Sequence, residues 1–251
     1  MTVRFGRRRL RSLGDFAREI AIIVVGVLIA LAASEYAEER NWAQRVEDAE
    51  RQLGLEASQN FLYAAEAFAT EPCVQTQLAT LRKRVLASGD RLVPAPVHED
   101  AFMSFVLRVP VRPYGNAIWD ALGADGTAAH FDDQRSARYA ENGAQLANLR
   151  RMTAEAELVV GRLRVLGSDV PLDAATRVRL LEAIDEQAYR TRLQSVMALQ
   201  VMAALRDLGH AGDQAAVAHD LAGASGTLQF CQAQGLPLAD WRATLAKVPA
   251  R

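Results

Sequence analysis

Two cysteines are the residues of this sequence most able to form a covalent link. Cys73 and Cys231 stand far apart in the chain and belong to no CxxC motif, so a thioredoxin-type redox site is unsupported. Thiols that are exported from the cytoplasm and lie at a compatible distance oxidise. We therefore predict a Cys73–Cys231 disulfide that clips the end of the chain to its second helix. Two unrelated buried thiols are the alternative.

The histidines show no metal-binding pattern. None of the four forms an HExxH motif or pairs with another histidine at i, i+4: His98, His130, His210 and His219. His98, Glu99 and Asp100 could supply ligands, but adjacent residues point in different directions on a helix, which favours a solvated loop. The run from Gly223 to Gly226 departs from the G-x-S-x-G motif, and no glycine-rich phosphate loop occurs. We expect no metal ion, no cofactor and no catalytic residue.

Polar and aromatic side chains in the segment 90–126 are the candidates for a small-molecule pocket. Those that could line it are His98, Asp100, Phe102, Tyr114 and Trp119. Aromatic residues in an irregular segment more often cover a core. A concave pocket with converging polar groups here would favour an extracytoplasmic enzyme, whereas a filled core with an exposed apolar patch would favour a binding protein.

The elements that must position these residues are helical nearly everywhere. A first helix is predicted to run to about Thr70, where Pro72 ends it or opens the next turn. A second helix is predicted from about Cys73 to Ser88. The segment 90–126 contains prolines and glycines that interrupt the helical pattern of the sequence. Short helices are predicted within it, around 99–107 and 116–122.

Two long helices and a short tail complete the predicted domain. Asp132 or Asp133 is predicted to cap a helix to about Leu166, and Asp173 a helix to about Gly209. The first of them points an apolar face inward: Tyr139, Leu146, Leu149, Val159, Leu163 and Leu166. Short helices are predicted around Cys231 and Trp241. No useful alternating segment occurs, so the sequence predicts an all-α fold, an antiparallel helical bundle with an irregular insertion.

A membrane segment is predicted at the N-terminus. Ile20 to Ala33 is a run of fourteen apolar residues, which as a helix covers only ~21 Å of a ~30 Å hydrocarbon core. Its flanks extend the helix to 16–37. Six arginines precede the run, so the positive-inside rule places the N-terminus in the cytoplasm and the bulk of the chain outside it. We predict a basic leader over 1–18, a membrane helix over 19–37 and a periplasmic helical domain over 38–251.

Two alternatives bear on this topology. Ala30-Leu31-Ala32 is an acceptable site for a signal peptidase, so a secreted soluble helical protein is the rival of an uncleaved anchor. The arginine cluster could also bind nucleic acid. However, it adjoins a membrane segment, and the chain after Arg18 has 23 basic and 29 acidic residues, which argues against nucleic acid or anionic lipid as a partner of the domain.

Small residues form a stripe along the membrane segment. Gly26, Ala30 and Ser34 repeat every four residues, a spacing that lets two membrane helices approach closely. We predict that any homodimer forms through this stripe. The stripe that contains Trp42 and Leu53 lies on nearly the opposite face of the helix and is predicted to pack within its own bundle.

The N-terminal pattern resembles that of a broad family of bacterial single-pass inner-membrane proteins. It consists of Arg18-Glu19-Ile20, the run IIVVGVLIALAA, Glu38-Glu39 and Trp42. Two later stretches are similar to one branch of that family: Cys73 with Leu78 and Leu81, and Trp119-Asp120-Ala121-Leu122 with Gly126 and Tyr139. The resemblance implies an anchor and a helical extramembrane domain with no established activity. The chain departs from many relatives at Ala33-Ser34-Glu35-Tyr36, where they carry asparagine or tryptophan.

These observations predict a protein of the bacterial inner membrane that contacts the bilayer through residues 19–37. Its helical domain is expected to bind an unidentified protein partner as an accessory subunit, scaffold or sensor-like module. The rival is an extracytoplasmic enzyme with a site in the 90–126 segment.

Overall fold

The computed structural model describes residues 13–100 and 103–250. The chain divides into two units between Asp48 and Ala49, and each is described by itself. Their helices are α1 (Leu13–Ala87), α2 (Ala117–Ala124), α3 (Asp133–Leu163), α4 (Ala174–Asp207), α5 (Gln214–Ala224), α6 (Gly226–Ala233) and α7 (Trp241–Leu245). The predicted all-α fold class is confirmed.

The first unit contains the apolar part of α1. An 18-residue window of this helix reaches a mean hydropathy of 2.3, and none of the window is buried. By length and composition, this stretch could cross a membrane. Further along the same unit, the Arg45 guanidinium lies 4.8 Å from the centre of the Trp42 ring.

Helix α1 continues through Pro72 to Ala87, so the predicted break near Thr70 is wrong. Pro72 has no N–H and cannot complete the helical hydrogen bond to the carbonyl four residues earlier, which disturbs that turn. The C-terminal tail meets this turn: the Ala239 N–H donates to the Ala69 carbonyl at 2.8 Å. The tail thus contacts the helix about one turn before the proline.

The second unit is a bundle of α1, α3 and α4. The aspartates predicted to cap α3 and α4 do so: Asp132 accepts from the Arg135 N–H at 2.9 Å, and Asp173 accepts from the Thr176 N–H at 2.6 Å. The predicted inward face of α3 is confirmed. The shared core consists of buried residues from all three helices and their connections, among them Val74, Leu78, Val85, Leu92, Val159, Leu163, Leu166 and Ile184.

Helix directions follow from paired residues along the bundle. Helix α4 is antiparallel to α3, because Arg162 pairs with Glu186 near one end while Arg138 donates to the Asp207 carbonyl near the other. Helix α3 runs parallel to α1, because Arg135 at its start pairs with Glu50 at 2.7 Å, while Val85 and Leu163, near the ends of the two helices, belong to one core. The segment between α1 and α3 therefore travels back along the bundle before α3 begins.

That returning segment contains β1 (His98–Glu99) and β2 (Ser104–Phe105), an antiparallel pair, followed by α2. The helix predicted around 99–107 is therefore wrong, whereas the one around 116–122 is confirmed. The cause is a local turn: the Asp100 carboxylate accepts from the Met103 N–H at 2.8 Å, and the Asp100 N–H donates to the Met103 carbonyl at 3.0 Å. Aspartate side chains that bond nearby backbone compete with helix formation.

The C-terminal tail folds back onto α1. Short helices lie around Cys231 and Trp241, as predicted, and α5 precedes them without having been predicted. The Trp241 ring packs edge-on against Phe61 of α1, with ring centres 5.7 Å apart. Cys73 of α1 and Cys231 of α6 lie at disulfide distance, with their Sγ atoms 2.03 Å apart.

Candidate binding cleft

Four of the five residues predicted to line a pocket lie within the described residues, and they do not converge; Phe102 lies outside them. Trp119 stacks on Tyr139 with ring centres 5.1 Å apart and meets the edge of Phe131 at 5.7 Å. The Tyr139 hydroxyl lies 2.6 Å from His210 Nε2. Trp119 therefore belongs to an aromatic cluster between α2 and α3.

His98 and Asp100 lie together at the β1–β2 turn. The His98 ring stacks on Phe105 at 5.8 Å and meets the edge of Phe230 of α6 at 5.0 Å. Asp100 is ion-paired with Arg108. The structure thus places two of the predicted pocket residues beside α6, away from Trp119.

Polar side chains of α1 hold the returning segment in place. Glu56 accepts from the first backbone N–H groups of α2, those of Ala117 at 2.8 Å and Ile118 at 3.2 Å. Asn60 exchanges two hydrogen bonds with the Gly115 backbone, at 2.7 and 3.1 Å. Gln77 does the same with Arg108, at 3.2 and 2.9 Å. The 108–118 segment is therefore positioned by a row of side chains along one helix.

A buried carboxylate lies at the centre of this row. Glu66 is only 2% exposed, and its two oxygens have different partners: Arg112 Nε at 2.5 Å and the Ser225 hydroxyl at 2.5 Å. Ser225 also caps α6, because its hydroxyl oxygen accepts from the Leu228 N–H at 2.9 Å. Glu66 consequently joins α1, the returning segment and the tail at a single point.

Two tyrosines surround this ion pair. The Arg112 guanidinium lies over Tyr63 at 5.4 Å from the ring centre, and Tyr63 meets the edge of Tyr114. Burial opposes the charge of Arg112, but its hydrogen bond to Glu66 and the carboxylate charge raise the pKa of Arg112. Burial also raises the pKa of Tyr114, and the Glu66 charge adds to the effect. The Tyr114 phenol thus stays protonated and donates to the Tyr63 carbonyl at 3.1 Å.

Two cavities share Glu66 and Arg112 as a wall. The first, of about 510 Å³, lies between α1 and α5 and is here called the α5 groove. The second, of about 720 Å³, lies between α6 and residues 99–100 and 103–112, and is called the α6 groove. Apolar side chains line much of the α6 groove: Met103, Phe105, Val109, Val111 and Phe230. Met103 is 60% exposed and Val111 is 50% exposed, so this apolar surface faces solvent.

Two arginines and three carboxylates line the α6 groove. Arg112 pairs with Glu66, and Arg108 pairs with Asp100. Glu99, which is exposed, makes no ion pair within the described residues. Arg108 approaches α6 closely at Gly226, where an added Cβ would lie 2.7 Å from Arg108 Nη2. The groove therefore combines an apolar wall with one uncompensated negative charge.

Sequence reasoning did not identify the residues that join the two grooves: Glu66, Arg112 and Ser225. Glu66 is the only charged residue between Asn60 and Thr70, and an isolated carboxylate in an otherwise uncharged helical run could have indicated a buried partner. Nothing near Arg112 or Ser225 in the sequence identifies them as those partners, because both are remote from Glu66 in the chain.

Other predicted sites lie outside the cleft. Gly26, Ala30 and Ser34 are exposed on α1 in the first unit, and dimerisation through them stays a prediction. In the part of the chain that the structure describes, no three histidine, cysteine, aspartate or glutamate side chains are grouped as metal ligands.

No family model, curated protein or solved structure matches this chain. The family resemblance of the N-terminal pattern therefore depends on its quoted residues alone, and functional inference depends on the cleft.

Proposed function

We propose that this protein is a membrane-anchored binding protein of the bacterial inner membrane. One helix, within residues 19–37, holds it in the bilayer with its N-terminus in the cytoplasm. The helical domain lies in the periplasm and recognises a partner in the α6 groove. In this role the protein acts as an accessory subunit, scaffold or sensor-like module.

The anchor is supported by the order of charges and by burial. Arginines precede the apolar stretch of α1, and none of that stretch is covered by the rest of the structure. The disulfide-distance pair of cysteines is consistent with an oxidising compartment, because cytosolic thiols are kept reduced.

The observation that supports the binding role is the exposed apolar wall of the α6 groove. The arginines beside this wall are ion-paired with carboxylates of the groove. Apolar surface with a few oriented polar groups is typical of recognition sites. Ser225, the hydroxyl nearest a carboxylate here, is 1% exposed and is used twice, as donor to Glu66 and as cap of α6. It therefore serves the architecture of the wall and offers no accessible nucleophile to a bound molecule.

Photocrosslinking in intact cells tests this proposal. A photoreactive amino acid replaces Met103 in the groove and, as a matched control, Leu158 on α3, which is 73% exposed. We expect discrete adducts of higher mass only from position 103, and we expect the protein in the membrane fraction. Equal adducts from both positions, or none from position 103, would contradict a binding role for the groove.

A further inference from the structure

The backbone of the returning segment offers unpaired hydrogen-bonding groups where it borders the α6 groove. Val109 and Val111 make no backbone hydrogen bond within the described residues, although Val109 is half-buried. Buried and half-buried backbone groups are normally paired. An extended stretch with unpaired N–H and C=O groups is a template for pairing with another chain.

The neighbouring prolines favour an extended backbone in this stretch. Pro110 and Pro113 have a fixed φ, and each biases the residue before it, Val109 or Arg112, toward extended backbone. Arg108 bonds the Gln77 side chain of α1 through both its N–H and its C=O. In an extended chain, successive residues direct these groups to opposite sides. With an extended backbone, Val109 and Val111 would direct theirs away from α1, and Pro110, which lacks an N–H, would occupy the inward position between them.

The side chains beside this edge indicate the kind of chain that would pair with it. Met103, Phe105 and Phe230 offer apolar contact, and Glu99 supplies a carboxylate that has no counter-ion in the groove. The two arginines of the groove are each ion-paired, so they add no net attraction for an anion. The groove is complementary to apolar residues that alternate with basic ones.

We propose that the α6 groove binds an extended polypeptide segment with alternating apolar and basic residues, which adds as a strand to the 109–111 edge. Main-chain hydrogen bonds would supply affinity, and the apolar wall with Glu99 would supply selectivity, as in other strand-addition complexes. This inference rests on the proposed binding function and specifies the chemical class of the partner.

The probe is a fluorescent, end-capped octapeptide of alternating valine and lysine. It is titrated against the full-length protein in nanodiscs of zwitterionic lipid, with empty nanodiscs as the blank. Two matched probes are the valine–glutamate octapeptide and a valine–lysine octapeptide N-methylated at alternate residues, which cannot donate those main-chain hydrogen bonds. We expect saturable binding of the first probe. Binding of the N-methylated probe should be at least about tenfold weaker, as the loss of two or more hydrogen bonds implies. The valine–glutamate probe should also bind more weakly, because its carboxylates repel Glu99.

Two variants locate the site, each with a control. V111P removes the Val111 N–H, whereas V97P makes the same Pro-Val to Pro-Pro change outside the groove at an equally exposed valine. E99Q removes the unpaired carboxylate, whereas E182Q removes an exposed carboxylate of α4. We expect V111P to weaken binding by up to about tenfold, as for one lost main-chain donor, and E99Q by up to about fivefold, as for one exposed charge pair, with both controls unchanged.

The outcomes separate the two proposals. Adducts at position 103 without binding of the valine–lysine probe would overturn the strand-addition proposal and leave the binding function standing. Equal binding of the N-methylated probe would also overturn strand addition. This comparison uses the unsubstituted protein, so it does not depend on the folding of a variant. Absence of both adducts and probe binding would overturn both proposals.

Discussion

At the scale of the residue, the Glu66–Arg112 pair is expected to contribute strongly to stability. Removing one partner of a buried ion pair leaves the other charge without compensation, which costs about 3–5 kcal/mol when both are fully buried. Glu66 is almost completely buried, while the Arg112 side chain is 27% exposed. Solvent therefore screens the pair to some extent.

We predict that R112M lowers the free energy of unfolding by about 2–3 kcal/mol, below the fully buried case because Arg112 is partly solvated. R82M is the control. It breaks the Arg82–Asp185 pair, in which both side chains are about half exposed, and should cost less than about 1 kcal/mol. Urea unfolding measures both variants. Equal losses would show that Glu66 is compensated by other groups.

His210 is predicted to make stability depend on pH. Burial lowers the pKa of His210, and the nearby Arg135 charge lowers it further, against an opposing effect of Glu50. The unfolded chain therefore binds a proton that the folded chain does not, in the window just below the ordinary value of 6.5. Stability should rise as pH increases through this window.

Thermal unfolding between about pH 5 and pH 7.5 checks this slope, since histidine titrates in that range. H210N should flatten the His210 contribution while keeping a polar group near Tyr139. H219N changes an exposed histidine and should leave the slope as it is. An unchanged slope in H210N would assign the pH dependence to another group.

At the scale of the element, the glycines of α3 have different roles. An added Cβ at Gly143 would lie 2.6 Å from Asn116 Nδ2, at the start of α2, whereas Gly161 has nothing within 4 Å. Gly143 therefore permits a close approach of α2. Gly161 is exposed within its helix, and its main effect is the large conformational entropy that glycine loses on folding.

We predict that G161A raises the free energy of unfolding by about 0.5–1 kcal/mol through helix propensity. G143A should be at least about 1 kcal/mol less stable than G161A, because the Asn116 side chain must shift. Parallel denaturant titrations measure the difference. Equal stability of the two variants would mean that α2 moves aside without cost.

The tail is a second element whose position depends on distant residues. Replacing both Cys73 and Cys231 by alanine should lower stability by about 2–4 kcal/mol. The loss should appear first as faster amide hydrogen exchange in α6 and α7, while α3 and α4 keep their protection. Uniformly faster exchange in all helices would show that the tail does not open separately.

Non-reducing electrophoresis after thiol blocking is a direct check of the pairing in the native protein. No alkylatable thiol and no shift to a dimer are expected, because both sulfurs lie within one chain. Two alkylatable cysteines in native protein would contradict the disulfide.

At the scale of the whole molecule, the asymmetry of arginine about the apolar stretch is expected to set the orientation. A reporter that works only in the cytoplasm, fused after Arg251, should be inactive. Mass spectrometry of the membrane-bound chain should find the leader still attached. Reporter activity would reverse the topology, and a mature chain that begins after Ala32 would identify a cleaved signal peptide.

The local parts of the fold were predictable because their causes lie within a few residues. Asp132 and Asp173 cap their helices through N–H groups three residues away, and the inward face of α3 follows its own periodicity. A local signal was also misjudged: the turn made by Asp100 with Met103 replaces the predicted helix by two short strands. Competing short-range hydrogen bonds of aspartate are hard to rank from sequence.

By itself, then, the sequence determined the helical class, the helix caps and an apolar stretch long enough to cross a membrane, since propensity, capping and hydrophobicity are properties of neighbouring residues. Only the tertiary structure showed that α1 continues past Pro72, because a proline can end a helix or lie within it and its sequence neighbours do not decide which. Only the tertiary structure revealed the wall shared by the two grooves, because Glu66, Arg112 and Ser225 come from three distant segments. A buried charge needs a partner, but its own sequence neighbours do not say which one.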